Sequence, residues 1–223
     1  MITKGEILQR TKELAKMINE DYGEVRPVLV CVLKGANPVS KMFFYFASRA
    51  AQHDCRGQLL TPSLPSIYEK NKINFHDKFY QHLLEELQKL KQGYTMEFLR
   101  VSSYEGTEST GVVSIREGLQ RKDLAGRHVI LVEDIVDTGT TLSRVIPALL
   151  EEDDAPKSVE VCALLEKRLK QPPKIQAKYL GFTIPNHFII GYGLDYNELY
   201  RDVADIWVIS QAGIDFDQST LNL

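Results

Sequence analysis

The chain has 223 residues, of which 43% are apolar and 26% are charged, and its formal net charge is −3. This length and apolar content are sufficient for one globular domain with a sizeable core. The 27 basic residues are balanced by 30 acidic ones and form no basic run, so binding of nucleic acid through bulk charge is disfavoured.

The first residues and the cysteines indicate a cellular location. Residues 1–6 carry charges where a signal peptide needs an apolar stretch, and no window approaches the roughly 18 apolar residues of a membrane span. Cys31, Cys55 and Cys162 are odd in number and lack the spacing of a metal site. We therefore expect a cytosolic protein with reduced thiols and no membrane partner.

The first third of the chain alternates helix and strand patterns. Thr3 and Glu6 form a capping-box pattern before a helical stripe that ends near Tyr22. The apolar run 28–33 predicts a strand that is covered on both faces, as in parallel sheets. Asn37 and Pro38 then predict a helix that extends to about residue 50.

The middle of the chain is less regular. Residues 57–72 contain two prolines and no period, which predicts a loop. An amphipathic stripe predicts a helix over 75–91, and a strand is expected over 96–101. The polar stretch 102–111, with two glycines, is typical of a loop that can close over a site.

The second half has a clearer α/β rhythm. The pattern predicts a helix over about 141–151, in which Pro147 should kink the axis. Strands are expected over residues 128–132, 159–165, 179–184, 187–191 and 206–210.

The segment from Val129 to Thr141 carries the clearest chemical pattern. An apolar strand leads to the acids Glu133 and Asp134, Asp137 follows, and Thr138-Gly139-Thr140-Thr141 then opens a helix. Ligands of open α/β sheets bind at the carboxyl ends of strands. Glycine lets backbone amides approach a phosphate, hydroxyls donate hydrogen bonds, and the helix N-terminus adds a positive dipole.

The three acids of this segment would repel a bare anion. We therefore expect them to face sugar hydroxyls, a magnesium ion or a proton. The alternative is an ordinary helix N-terminus, at which acids favour the helix dipole. That alternative explains one acid but not the whole string.

Four motifs, which follow one another along the chain in the order of the family, resemble those of the type I phosphoribosyltransferases. Segment 129–141 is similar to their phosphoribosyl-diphosphate motif, residues 33–35 to their pyrophosphate loop, and residues 103–111 to their flexible catalytic loop. Residues 164–168 and 188–202 resemble the purine-binding hood of the hypoxanthine-guanine branch. The resemblance implies one α/β domain over 1–223, with a central, mainly parallel sheet flanked by helices and hood elements at about 167–223.

The same resemblance implies which residues bind phosphoribosyl diphosphate. Glu133 and Asp134 would hold the ribose hydroxyls. The 5′-phosphate would be bound, chiefly through backbone amides, by Asp137, Thr138, Gly139, Thr140 and Thr141. The leaving pyrophosphate would be bound by Lys34, Gly35 and Arg201. The implied cofactor is Mg²⁺, with Glu133, Asp134 and Asp195 as its ligands.

A 6-oxopurine base is the second implied substrate. Phe188 would stack on the base, the backbone of Ile189 would read its edge, and Lys167 would donate to the 6-oxygen. A 6-amino group would present donor to donor, so adenine should be rejected. The implied activity is purine salvage, by transfer of the phosphoribosyl group to hypoxanthine or guanine, in a homodimer or homotetramer.

The chemistry of this transfer needs few groups. Departure of pyrophosphate leaves an oxocarbenium-like centre, so the leaving group must be neutralised and water excluded, and the Ser103-Tyr104 loop could close for the second purpose. Asp137 is the candidate general base at purine N7. Its alternative role is to shape the phosphate loop.

The length of the chain departs from the family pattern. Between the helix predicted to end near residue 52 and the strand at 96, the chain has about 35 residues more than the family usually has, and we place this insertion at about 57–93. The competing class is a regulator that binds phosphoribosyl diphosphate without catalysis. Such a regulator would be expected to lose Asp137, Lys167 or Arg201, and all three are present. The five histidines show no metal spacing and are expected to be non-catalytic.

Overall fold

A computed structural model describes residues 1–34, 78–102, 114–116, 121–151, 154–197 and 199–214. The helices are α1 (Lys4–Tyr22), α2 (Lys78–Lys89), α3 (Leu142–Leu150) and α4 (Gln211–Ile214), with a short 3-10 helix at Arg121–Asp123. The strands are β1 (Val28–Lys34), β2 (Thr95–Ser102), β3 (Ser114–Arg116), β4 (His128–Val136), β5 (Ser158–Arg168), β6 (Tyr179–Pro185), β7 (Ile189–Ile190) and β8 (Trp207–Val208).

Six of these strands form the central sheet in the order β3-β2-β1-β4-β5-β6. The five strands from β2 to β6 in this order are parallel, and only the edge strand β3 is antiparallel. β7 and β8 form a separate antiparallel pair. The predicted α/β class with a mainly parallel sheet is therefore confirmed. Because the parallel strands run in one direction, the ends of β1, β2, β4 and β5 meet at one edge of the sheet.

The sheet is buried on both faces, as the apolar run of β1 predicts. Leu29 and Cys31 lie in one core cluster with α1 and α2, whereas Val28, Val30 and Val32 lie in a second cluster with α3. All five are at most 5% exposed. Alternate residues of a strand point to opposite faces, so a strand covered twice needs a continuous apolar run. Cys31 and Cys162 are buried free thiols.

Helix α1 begins with the predicted capping box. Thr3 Oγ1 accepts the Glu6 N–H at 3.3 Å, and Glu6 Oε2 accepts the Thr3 N–H at 2.8 Å. The two bonds satisfy amides that the first turn of a helix leaves unpaired. Arg10 then joins the helix to β6, because its guanidinium donates to the carbonyl of Gly181 at 2.9 Å and to that of Leu180 at 2.7 Å.

Helix α2 is part of the main core. Phe79, Tyr80, Leu83 and Leu87 are at most 1% exposed and lie in the same cluster as α1. The Tyr80 hydroxyl donates to the Leu29 carbonyl of β1 at 3.0 Å. These contacts close one face of the sheet.

Most predicted elements that fall on described residues are present with shifted ends. β4 continues through Glu133 and Asp134 to Val136, four residues beyond the predicted end, because the ladder with β5 continues past the acids. Pro147 lies inside α3, which continues to Leu150. The predicted helix at 37–50 and the loops at 57–72 and 103–111 lie outside the described residues. No helix in the described part of the chain is long and apolar enough to cross a membrane.

An ion pair at the far end of α1 gives a pH-dependent prediction. The Asp21 carboxylate accepts from the Tyr179 hydroxyl at 2.7 Å and from Lys178 Nζ at 2.9 Å, and these two contacts hold the pKa of Asp21 below its usual value. A depressed carboxyl pKa contributes stability above the unfolded pKa, about 4, and this contribution is lost as the pH falls through the folded pKa.

We expect Asp21→Asn to lower the free energy of unfolding at pH 7 by less than about 1 kcal/mol, because Asp21 is largely exposed. The difference from the wild type should shrink near pH 3. Urea unfolding at both pH values measures it, with Glu20→Gln as the control on the same helix. An equal difference at both pH values would contradict the assignment.

Candidate active site

The carboxyl end of β4 brings two acids to the edge of the sheet. Glu133 is 1% exposed and opposes Ala163 of β5, whereas Asp134 is partly exposed. Asp134 Oδ1 also accepts the Ile135 N–H at 2.6 Å. The two neighbours therefore stand at the strand end with unequal access to solvent.

The loop between β4 and α3 places two threonine hydroxyls just before a helix N-terminus. The Thr138 and Thr140 hydroxyl oxygens are 2.8 Å apart, and the Ser143 N–H donates to the Gly139 carbonyl at 2.9 Å. Thr141 is the N-cap of α3, but its side chain makes no capping hydrogen bond. Hydroxyls that stand directly before a helix N-terminus are groups that can bind a phosphate.

Gly139 is required by two features of this loop. Its φ is +70°, and a Cβ atom there would lie 3.0 Å from the Ile175 nitrogen and 3.2 Å from the Lys174 nitrogen. The Lys174 N–H donates to the Thr138 carbonyl at 3.1 Å. A segment more than 30 residues downstream therefore packs against the loop and fixes its shape.

Gly139→Ala should lower the free energy of unfolding by about 1 to 3 kcal/mol. The alanine must adopt a positive φ, and its Cβ atom crowds the backbone of Lys174 and Ile175. Gly126→Ala is the matched control, since Gly126 has φ +65° and nothing within 4 Å of its Cβ position. Denaturant unfolding of both variants separates backbone strain from crowding. Equal losses in the two variants would show that contact with residues 174–175 contributes nothing.

Lys167 and Asp137 form an ion pair across the ends of β5 and β4. Lys167 Nζ lies 2.9 Å from Asp137 Oδ2, and the two side chains are 11% and 52% exposed, respectively. Lys167 is part of β5, where the ladder holds its backbone opposite Ile184 of β6. The structure thus brings together the two polar side chains that were predicted to contact the purine base.

An exposed aromatic ring stands beside this pair. Phe188 is 64% exposed, its ring centroid lies 5.6 Å from Lys167 Nζ, and its edge meets Tyr196 at a centroid distance of 6.0 Å. Ile189 follows in β7, in register with Val208 of β8. An exposed ring of this kind offers a flat apolar face to a ligand.

Arg201 and Asp195 form a second pair in the loop between β7 and β8. Arg201 Nη2 lies 2.9 Å from Asp195 Oδ1, and Arg201 Nη1 donates to the Gly193 carbonyl at 3.0 Å. Both side chains are partly exposed. The loop between β7 and β8 therefore presents a cation and a carboxylate side by side at the surface.

The acids expected to bind magnesium do not form one cluster. Within the described ranges, no three acidic, histidine or cysteine side chains are grouped as a metal site. Mg²⁺ is commonly held by one or two carboxylates, while water and substrate phosphates fill the remaining positions. The partly exposed carboxylates of Asp195 and Asp134 fit this mode of binding.

Some predicted site residues cannot be compared with the structure. Gly35, Ser103 and Tyr104 lie outside the described residues, and only the backbone of Lys34 is described, at the end of β1. Lys34 pairs with Val101 of β2, so β1 and β2 end at the same edge as β4.

Comparison with known proteins shows the family of the chain. Residues 78–197 match the phosphoribosyl transferase domain. A Streptococcus pneumoniae hypoxanthine-guanine phosphoribosyltransferase is 33% identical over 212 residues, which are 95% of this chain and 92% of that protein. The chain belongs to the phosphoribosyltransferase family. The dog hypoxanthine-guanine phosphoribosyltransferase is 30% identical, with 95% of this chain and 81% of that protein covered.

Solved structures of phosphoribosyltransferases share the fold. A hypoxanthine phosphoribosyltransferase of Trypanosoma cruzi superposes with a TM-score of 0.67 at 32% identity and covers 96% of this chain and 95% of its own. One from Staphylococcus aureus has a TM-score of 0.66 at 29% identity, with 94% and 90% covered. The resemblance found in the motifs is therefore confirmed.

Several residues around this phosphoribosyltransferase site have no pattern in the sequence that marks them. Lys174 and Ile175 fix the phosphate loop through backbone atoms, which carry no residue-type pattern. Lys78 donates to the Arg201 carbonyl at 3.1 Å from a helix 123 residues away. Such contacts are set by tertiary packing, so a linear motif does not reveal them.

Proposed function

We propose that this phosphoribosyltransferase transfers the 5-phosphoribosyl group from phosphoribosyl diphosphate to hypoxanthine or guanine. The products are IMP or GMP and pyrophosphate, and the reaction is a step of purine salvage. The names of the similar proteins from Streptococcus pneumoniae and dog support this substrate class. The pairing of Lys167 with Asp137 is the structural observation on which the proposal rests.

Lys167 and Asp137 have the spacing and chemistry that a 6-oxopurine requires. The 6-oxygen and N7 of such a base lie side by side on one edge of the ring. Lys167 donates to the 6-oxygen, and Asp137 accepts the proton of N7, because a lysine offers only donors and a carboxylate only acceptors. The base must then replace an existing contact of 2.9 Å between the two side chains.

The base needs a flat partner as well as polar ones. Phe188 is an exposed aromatic ring whose centroid lies 5.6 Å from Lys167 Nζ, and it stacks on the purine face. The backbone of Ile189, in β7, reads the far edge of the ring. These roles are consistent with a site that selects bases by shape and by donor pattern.

The sugar and its phosphates bind at the edge of the sheet. Glu133 and Asp134 hold the ribose hydroxyls, and the Thr138–Thr141 loop holds the 5′-phosphate. The pyrophosphate is bound by Lys34, Gly35 and Arg201. Asp195 and Asp134 would hold Mg²⁺, which would supply positive charge for the leaving pyrophosphate.

The reaction forms a bond from N9 of the base to C1 of the sugar and breaks the bond from C1 to the pyrophosphate oxygen. Asp137 accepts the N7 proton as N9 attacks, which keeps the base nucleophilic. Arg201 stabilises the negative charge that develops on the pyrophosphate. The Ser103-Tyr104 loop excludes water from the oxocarbenium-like centre.

A spectrophotometric assay with Mg²⁺, phosphoribosyl diphosphate and each purine base tests this function. Turnover of hypoxanthine and guanine, with adenine rejected, is expected. Binding of phosphoribosyl diphosphate without turnover of any base would instead favour the regulator. We also propose that the chain is a cytosolic homodimer or homotetramer, which light scattering and cell fractionation can test.

A further inference from the structure

The loop between β7 and β8 contains an unusual turn. Gly191, Tyr192 and Gly193 have φ values of +91°, +56° and +102°. Two of these residues are glycines and adopt positive φ readily, but a tyrosine in this region is strained by its Cβ atom. Such a conformation persists only where the surroundings enforce it.

This turn is bonded directly to the Arg201–Asp195 pair. The Gly193 N–H donates to the Arg201 carbonyl at 3.0 Å, and the Gly193 carbonyl accepts from Arg201 Nη1 at 3.0 Å. The Tyr192 N–H donates to the Val203 carbonyl at 2.7 Å. The orientation of the Arg201 guanidinium therefore depends on the conformation of the turn.

Helix α2 holds the turn from the other side. Lys78 Nζ donates to the same Arg201 carbonyl at 3.1 Å and lies 5.9 Å from the centre of the Tyr192 ring. His82 Nδ1 and the Tyr192 hydroxyl are 2.5 Å apart, and their rings stack at a centroid distance of 5.7 Å. Tyr192 is only 4% exposed, so this contact is shielded from water.

The charges around these groups are compatible with a structural hydrogen bond. Burial lowers the pKa of His82, which also faces Glu85, Glu86, Lys4 and Lys78. Burial likewise lowers the pKa of Lys78, which lies near Asp202. A neutral imidazole has one ring nitrogen that accepts a hydrogen bond, which suits a tyrosine hydroxyl.

We propose that Lys78 and His82 are positioning residues for pyrophosphate binding, because they fix the turn that orients Arg201 and Asp195. The proposal rests on the proposed function, in which Arg201 binds the leaving pyrophosphate. Neither α2 residue needs to touch substrate. Their loss should weaken the binding of the diphosphate end of the substrate and leave the purine pocket, built around Lys167 and Phe188, unchanged.

Variants of α2 test the proposal in the full chain. Lys78→Met removes the ammonium group and keeps the apolar stem, and His82→Phe keeps a stacked ring without its nitrogens. His82→Asn restores a polar atom near the position of Nδ1. Lys89→Met is the matched control, because Lys89 is an exposed lysine on the same helix, paired with Glu86.

The main readout is calorimetric titration with magnesium phosphoribosyl diphosphate and with magnesium pyrophosphate. We expect Lys78→Met and His82→Phe to bind each ligand about 5- to 10-fold more weakly, and His82→Asn to recover most of the loss. The KM for hypoxanthine should change less than about twofold. Lys89→Met should bind like the wild type.

The outcomes separate this proposal from the proposed function. Unchanged affinity in Lys78→Met and His82→Phe would overturn the positioning role, as would equal loss of diphosphate and hypoxanthine binding. If the wild type binds the diphosphate but transfers nothing, the proposed function fails and the titrations still decide the role of α2. A wild type that binds neither probe would overturn both. Should an α2 variant misfold by circular dichroism, Tyr192→Phe removes the same hydrogen bond from the other side.

Discussion

Asp137→Asn should lower the turnover of hypoxanthine on the order of 100-fold, because the amide cannot accept the N7 proton. Asparagine has nearly the shape of aspartate and can still accept a hydrogen bond from Lys167, which lies 2.9 Å from the carboxylate. The phosphate loop should therefore keep its form, and the affinity for phosphoribosyl diphosphate should stay nearly intact. Steady-state kinetics and calorimetric titration of one preparation measure the two quantities.

The two roles considered for Asp137 give opposite results in this experiment. A general base loses turnover and keeps the affinity for the diphosphate. If Asp137 only shapes the loop, the variant would keep its turnover at saturating phosphoribosyl diphosphate. Alternatively, it would lose affinity and turnover together. Unchanged turnover in Asp137→Asn would leave only the shaping role.

Lys167→Met should lower kcat/KM for hypoxanthine by about 100-fold, because the 6-oxygen loses its charged donor in a largely buried position. The Asp137 carboxylate that remains is 52% exposed, so water can solvate it and the fold should tolerate the change. Affinity for phosphoribosyl diphosphate should be unaffected. Discrimination against adenine should also weaken, since the donor that opposes its amino group is gone.

Arg168→Met is the control for this variant. Arg168 follows Lys167 in β5 and is exposed, and alternate residues of a strand point to opposite faces. The control removes a neighbouring positive charge without touching the base site. If both variants lose the same activity, the effect is one of general charge, and the assignment of Lys167 to the 6-oxygen is wrong.

The fold could be predicted where burial dictates residue type. β1 must be apolar at every position because both of its faces are covered, and α1 must carry a capping pattern because its first amides need partners. β3 was missed, since three residues at an antiparallel edge carry no readable period. The end of β4 was placed too early, at residue 132, because the prediction followed the apolar run, whereas the ladder with β5 continues to Val136.

The part of the site that is formed by consecutive residues could be predicted from the sequence. The motif that ends in Thr138–Thr141 is contiguous in the sequence and can be recognised there. In the structure, a helix begins directly after it. The support from Lys78, His82 and Lys174 could not be foreseen. Each of these residues acts through a contact with a distant segment, and two of the contacts involve backbone carbonyls.

Only the last part of the predicted insertion, from residue 78 onward, lies on described residues. The insertion was expected at about 57–93, which includes α2. However, α2 contributes four buried residues to the core, and the match to the phosphoribosyl transferase domain begins at its first residue, Lys78. We infer that α2 belongs to the common frame of the domain and that the extra length precedes it.

The pairing of β1 with β2 has an entropic consequence for that extra length. β1 ends at Lys34 and β2 begins at Thr95, and these two residues lie at opposite ends of a parallel pair, so the chain between them must return along the sheet. The closure entropy of such a connection grows only with the logarithm of its length, at about 0.6 kcal/mol for each doubling. A connection can therefore lengthen greatly while the strand register, and the site at the strand ends, stay where they are. In this fold, a longer connection between β1 and β2 therefore has a small free-energy cost and leaves the reaction at the strand ends unchanged.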